Sequence, residues 1–159
     1  MIRTAKTDDF ERIREIYAGA RQFMAAHGNP DQWGLCYPSD ALVLQDIREQ
    51  TLYVITGHNR IVGVFYFHIG PDPTYARIED GAWLSEEPYG TIHRIASDGT
   101  THGILKQTVA YCEERILHLR IDTHPDNLIM QRQIVRCGFT RTGIIYAEDG
   151  SVRYAYEKC

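Results

Sequence analysis

The segment Ser97-Asp98-Gly99-Thr100-Thr101-His102-Gly103-Ile104 is the stretch of this 159-residue chain whose residue types say most about backbone chemistry. It leaves a strand in which Ile92, Arg94 and Ala96 alternate with His93, Ile95 and Ser97, and it enters an amphipathic helix. Free N–H groups at a helix start, together with the positive end of the helix dipole, bind an anion without any lysine. Gly99 and Gly103 either let the backbone approach such a ligand or simply make a tight strand-to-helix turn. Neither a dinucleotide fingerprint nor a Gly-Lys-Ser/Thr phosphate loop is present, which disfavours nucleotide-dependent redox and phosphoryl chemistry. Asp122, His124 and Asp126 alternate along a second strand and so share a face. Pro125 breaks that strand and no fourth ligand is evident, so no metal is expected there.

The elements around this loop follow from periodicity. Phe10, Ile13, Ile16, Tyr17, Ala20, Phe23 and Met24 form a helical stripe starting at Asp9, with Asp8 and Glu11 spaced as a capping box. His27 to Pro38 reads as a loop, and Ser39 as the N-cap of a short helix to Glu49. Strands are expected at Thr51–Thr56 and Ile61–Ile69, then at Thr91–Ser97 and Leu117–Thr123, with a helix over Gly103–Arg115 between the last two. Gly70 to Gly90 has no readable period and is expected to be a long excursion with at most a short strand. A helix at Asn127–Arg136 ends before Gly138, and a hairpin of Thr142–Glu148 with Ser151–Glu157 closes around Asp149-Gly150. A strand–helix–strand core implies a parallel pair inside an otherwise antiparallel sheet, an α/β (α+β) arrangement with helices on both faces.

Composition bounds the partners. With 43% hydrophobic and 24% charged residues the chain is globular, and its length suits a single domain, 1–159. Its 17 basic and 21 acidic residues give net −4, and no basic stretch tracks a phosphate backbone, so no nucleic-acid partner is expected. No apolar run reaches membrane-spanning length, and the first residues lack an apolar signal core; a cytoplasmic location is expected. Cys36, Cys112, Cys137 and Cys159 form no paired motif and read as reduced, buried thiols.

Taken in order, these segments resemble the GNAT superfamily of acyl-CoA-dependent N-acyltransferases over essentially the whole chain. The segments are Ile2-Arg3-Thr4-Ala5 with the following helix, Ile92-His93-Arg94-Ile95-Ala96 with the loop to Gly103-Ile104, Ile121-Asp122-Thr123-His124-Pro125-Asp126-Asn127, and Cys137-Gly138-Phe139. Gln32-Trp33-Gly34, Tyr37-Pro38, Glu79-Asp80-Gly81-Ala82-Trp83 and Glu148-Asp149-Gly150 are similar to an uncharacterised bacterial subgroup. The resemblance implies acetyl-CoA as cosubstrate and a mixed sheet splayed around it. Its pyrophosphate loop falls on Thr100, Thr101, His102, Gly103, Ile104 and Leu105, and its pantetheine-pairing strand on Ile95, Ala96 and Ser97. The family's asparagine falls on Asn127, to reach the pantetheine arm or to cap the helix. Thr100 and Leu105 depart from the loop pattern. Ile134 stands where many members carry the tyrosine that protonates the leaving thiolate.

The implied reaction is N-acetylation of a primary amine of a small molecule or a peptide. It needs a deprotonated amine, an oriented thioester and hydrogen bonds to the oxyanion, the last expected from a backbone N–H near Ile95–Ala96. His93 is the candidate base, since an imidazole suits proton acceptance at neutral pH and lies on the pantetheine strand; the alternative is a structural histidine with satisfied hydrogen bonds. Tyr146 is the second catalytic candidate, to protonate the thiolate or contact substrate, unless it simply packs with Tyr154 and Tyr156 in the closing hairpin. Trp33, Tyr37 and Trp83 lie in irregular loops, either walling an acceptor pocket or packing in the core. Glu79 and Asp80 either attract a cationic amine or are simply solvated surface carboxylates. The alternative is a catalytically weak acyl-CoA-binding or sensor domain, which Thr100, Leu105 and Ile134 favour. A homodimer through edge pairing of terminal strands is also compatible with the pattern.

Overall fold

The computed structural model describes residues 1–159. The strands are β1 (Ile2–Thr4), β2 (Leu52–Gly57), β3 (Arg60–Ile69), β4 (Gly90–Ser97), β5 (Leu119–Thr123), β6 (Thr140–Tyr146) and β7 (Val152–Lys158). The helices are α1 (Phe10–Ala26), α2 (Asp40–Arg48), α3 (Ile104–Glu113) and α4 (Leu128–Arg136). All seven strands share one sheet in the order β1-β2-β3-β4-β5-β7-β6, and only β4 and β5 pair in parallel. A parallel pair needs a crossover, and α3 supplies it.

Alternation along the strands sorts the apolar side chains onto two faces. Leu52, Val54 and Val64 pack with Ile13, Ile16 and Tyr17 of α1 and Val43 and Ile47 of α2. Ile55, Phe65 and Ile92 pack on the other face with Leu105, Val109 and Cys112 of α3 and Ile134 of α4. Each fully buried aliphatic or aromatic side chain of this kind contributes roughly 1.5–3 kcal/mol.

The parallel pair is short. Register runs only from Gly90 opposite Leu119 to Ile92 opposite Ile121, after which β4 continues to Ser97 and β5 to Thr123 without partnering each other. The divergence begins at a bulge. Arg94 adopts φ +48°, and the β3–β4 register slips between Val64 and Tyr66, which bends β4 away from β5. Tyr17 of α1 donates its hydroxyl to the Arg94 carbonyl at 2.8 Å and holds the bulge from below.

Several local expectations are corrected. Asp8 and Glu11 do not cap α1. A 3-10 turn over Thr7–Asp9 precedes it, and Asp9 instead accepts the Lys6 N–H at 2.8 Å and pairs with Arg3 at 2.7 Å. Ser39 does cap α2, its Oγ accepting from the Leu42 N–H. The 70–89 excursion contains no strand, only a 3-10 turn over Pro73–Tyr75 and a single bridge between Glu79 and Ile144. It is nevertheless well seated: Tyr75 is buried with Ile145 and Ala155, and Ile78, Trp83 and Tyr89 pack against them. Gly81 lies so close to β6 that a Cβ there would fall 1.9 Å from the Thr142 carbonyl oxygen. All four cysteines are free, but Cys36 and Cys159 are exposed rather than buried.

Candidate active site

Splaying β4 from β5 opens a cleft of about 1180 Å³ on the side of α3 and α4. Its walls are the end of β4, the loop into α3, α3 itself, α4 and one face of α1 from Arg12 to Met24. Ile95, Ala96, Ser97, Thr101, His102, Gly103, Ile104, Leu105 and Asn127 all line it, so the sequence-predicted cofactor residues converge there with one exception. That exception is Thr100. Its N–H and hydroxyl both turn onto the Asp98 carboxylate, at 2.9 and 2.6 Å, and it does not line the cleft.

Asp98 organises this loop. Its other oxygen meets Arg12 at 2.7 Å and Arg60 at 3.4 Å. Burial pushes the carboxyl up, but the Thr100 hydrogen bonds and the two guanidiniums outweigh it and hold the group below the usual range. Gly103 then takes φ +76°, a left-handed conformation that glycine adopts without strain, and α3 begins at Ile104. The N–H groups of Thr101, His102, Gly103, Ile104, Leu105 and Lys106 have no acceptor within the chain. Six donors at the positive end of a helix form a cradle for a pyrophosphate. The bulk of Ile104 and Leu105 does not obstruct it, because both side chains are buried against the sheet while their N–H groups stay free.

Asn127 caps α4. Its Oδ1 accepts from the Met130 N–H at 3.0 Å and its Nδ2 donates to Gln32 Oε1 at 2.9 Å, so its polar atoms are engaged. Gln32 Oε1 also accepts from Asn29 Nδ2 at 2.8 Å, and the Gln32 carbonyl accepts from Arg153 at 3.1 Å. The loop after α1 is thereby tied across the open end of the split sheet.

His93 sits on β4 just before the bulge, opposite Tyr66 on the face that carries α1 and α2. Its Nε2 is 2.8 Å from Asp72 Oδ2, and its Nδ1 is 3.4 Å from Asp122 Oδ1. Tyr75 donates its hydroxyl to that same Asp122 oxygen at 2.6 Å. The Tyr66 and Tyr75 rings flank the imidazole at 5.8 and 5.6 Å. Burial raises the Asp72 carboxyl, but His93 and Thr74 more than offset this and hold it well below the usual carboxylate range. The His93 side chain is 21% exposed and does not itself line the cleft, which begins two residues on at Ile95.

Arg94, at the bulge, carries a buried ion pair beside the site that sequence reasoning passed over. Its guanidinium reaches buried Asp46 at 2.8 Å, lies 4.3 Å from the Tyr66 ring centroid and donates to the Tyr37 hydroxyl at 3.2 Å. Desolvation dominates at Asp46, pushing its carboxyl up despite the arginine. An arginine inside an apolar strand and an aspartate on the Val43–Ile47 face of a helix were the available signals. Asp72 was missed because it lies in the excursion without a period.

The aromatic and tyrosine candidates fare differently. Trp33 is buried against Tyr17, ring to ring at 5.6 Å, and is a core residue. Trp83 donates its indole N–H to the Tyr75 carbonyl at 2.9 Å and lies under Arg120, so it pins the excursion. Tyr37 stays exposed beside Arg94. Tyr146 donates to Glu79 at 2.7 Å, which raises its hydroxyl pKa, and it does not line the cleft. Glu79 is taken up by Tyr146 and Arg77. Ile134 is wholly buried in the core under α4.

The strand-end trio does not converge on one point: Asp122 faces His93 and Tyr75, whereas His124 accepts from the Asp126 N–H. A different trio, His118, Glu157 and Cys159, brings ligand-type atoms within 4.8 Å of one another. Glu157 there is already paired with Arg120 at 3.0 Å and His118 at 2.5 Å and accepts from the Leu84 N–H, a structural clamp on the excursion.

No family model matches the sequence, and no curated protein does. Solved structures do match. A GNAT-family acetyltransferase from Streptococcus agalactiae superposes with a TM-score of 0.87 at 28% identity, over 99% of this chain and 94% of that one. A GNAT-family acetyltransferase from Listeria monocytogenes gives 0.71 at 21% identity, over 99% and 93%. The ribosomal-protein-alanine N-acetyltransferase from Brucella melitensis gives 0.65 at 14% identity, over 99% and 98%, a likeness of fold. With its short parallel pair split at a bulge and the N–H cradle at the start of α3, the chain has the fold of the GNAT-family acetyltransferases, and these likenesses support a GNAT superfamily member.

Proposed function

We propose that this protein transfers an acetyl group from acetyl-CoA to a primary amine of a small molecule or peptide. The observation that carries the reading is the run of unpartnered N–H groups from Thr101 to Lys106 opening onto the cleft where β4 leaves β5. The cradle would hold the pyrophosphate, and Ile95 to Ser97 would run beside the pantetheine arm. His93 would take a proton from the attacking amine. The nitrogen lone pair forms the C–N bond, a backbone N–H near Ile95–Ala96 stabilises the oxyanion, and collapse breaks the C–S bond. The thiolate then takes its proton from water, since Ile134 offers none and Tyr146 is committed to Glu79. The four free thiols support a reducing cytoplasmic setting.

Calorimetric titration with acetyl-CoA and with free pantetheine tests the ligand. Micromolar binding that requires the nucleotide arm supports the cradle; equal binding of both, or none, removes it. A second reading, an acyl-CoA-binding or sensor domain, is favoured by the buried Ile134 in place of a general acid. Saturable binding without amine-dependent thiol release would select it.

A further inference from the structure

We propose that Asp72 is the positioning residue that fixes the His93 imidazole in the tautomer with Nδ1 free to accept the proton. This rests on the reading of His93 as the base. A carboxylate only accepts hydrogen bonds, so the 2.8 Å contact between Asp72 Oδ2 and Nε2 places the ring proton on Nε2. Nδ1 is then the atom with the lone pair.

Asp72 is itself held on every side. Its Oδ1 accepts from the Thr74 N–H at 2.9 Å and the Thr74 hydroxyl at 2.6 Å, and its own N–H donates to the Tyr89 hydroxyl at 2.9 Å. Oδ2 is left to the imidazole alone. At the other ring nitrogen, Asp122 Oδ1 is 3.4 Å away and already accepts from Tyr75. At 3.4 Å Asp122 offers Nδ1 charge rather than a short hydrogen bond, so the stronger contact, at Nε2, sets the tautomer. The remaining groups around the ring are the Tyr66 and Tyr75 rings and the Arg94–Asp46 pair, whose charges oppose each other. In the step itself the amine proton moves to Nδ1, the nitrogen pair makes the C–N bond, and the sulfur departs with the C–S pair. The ring afterwards gives its extra proton to solvent.

The test is nitrogen-15 NMR of the histidine rings in the full chain, with kinetics on the same samples. In the parent protein the neutral His93 ring should show Nε2 protonated and Nδ1 bare. Asp72→Asn, which presents an amide N–H as readily as an oxygen, should mix or reverse the two. It should also lower kcat by on the order of 10- to 100-fold, with the affinity for acetyl-CoA unchanged. Thr74→Val loosens Asp72 without removing its carboxylate and should move the ring signals in the same direction, which keeps the test open if Asp72→Asn does not fold. An unchanged tautomer in the variants overturns the inference. If His93→Ala keeps full turnover, the base reading fails instead; if His93→Ala is inactive while Asp72→Asn is fully active, only the inference fails.

Discussion

Gln32 and Asn127, 95 residues apart, are joined side chain to side chain at 2.9 Å across the open end of the split between β4 and β5. The bond makes the loop after α1 and the first turn of α4 one unit, with Asn29 and Arg153 fastened to the same glutamine. Replacing Gln32 by Ala leaves two amide donors unmatched. The expected cost is about 1–3 kcal/mol of stability, read as a fall in Tm, with weaker acetyl-CoA binding because the cleft wall loosens. A variant as stable as the parent would show that the bond contributes nothing.

Gly103 turns the loop into α3 at φ +76°. A β-branched residue there is strained by roughly 1–3 kcal/mol, and relief of that strain must rotate the neighbouring N–H groups out of the cradle. Gly103→Val should therefore bind acetyl-CoA at least about tenfold more weakly, since 1.4 kcal/mol corresponds to tenfold. Calorimetry reads this directly; an unchanged Kd would mean that the cradle is not where the pyrophosphate binds.

Arg94 and Asp46 test the economy of a buried pair. Arg94→Met alone strands a buried carboxylate and should cost about 3–5 kcal/mol. Adding Asp46→Leu should recover most of that loss, because the uncompensated charge goes too. Denaturant melts of the two singles and the double give the coupling, and additive losses would contradict it.

The carboxyl of Asp72 is held low in the folded chain by His93 and Thr74. A depressed carboxyl stabilises the fold fully above its unfolded value, about pH 4, and the contribution disappears as pH falls through the lower folded value. Asp72→Asn should thus be less stable than the parent at pH 7 and converge with it in strong acid. A gap that persists unchanged at pH 2 would assign the loss to packing.

Much of the frame was legible because it is local. The α1 stripe, the Ser39 cap and the turn at Asp149-Gly150 each announce themselves within a few residues. The parallel pair followed from strand–helix–strand order. The excursion was opaque for the opposite reason: Tyr75 to Asp122, Trp83 to Tyr75 and Leu84 to Glu157 are side-chain bonds that leave no period in the sequence. Gly81 marks how tightly that segment sits, and Gly81→Ala should detach it from β6 and cost about 1–3 kcal/mol. The tryptophans misled for a related reason, since a loop position does not reveal whether a ring turns inward. Trp33 turns in against Tyr17.

Amine-dependent release of the free thiol from acetyl-CoA, followed for the parent chain and for His93→Ala with an amine panel, tests acetyl transfer most directly. The parent should release thiol saturably with at least one amine, and His93→Ala should lose that turnover while binding acetyl-CoA as before. Tight acetyl-CoA binding with no amine-dependent release from the parent would contradict the transferase reading and leave a binding domain in its place.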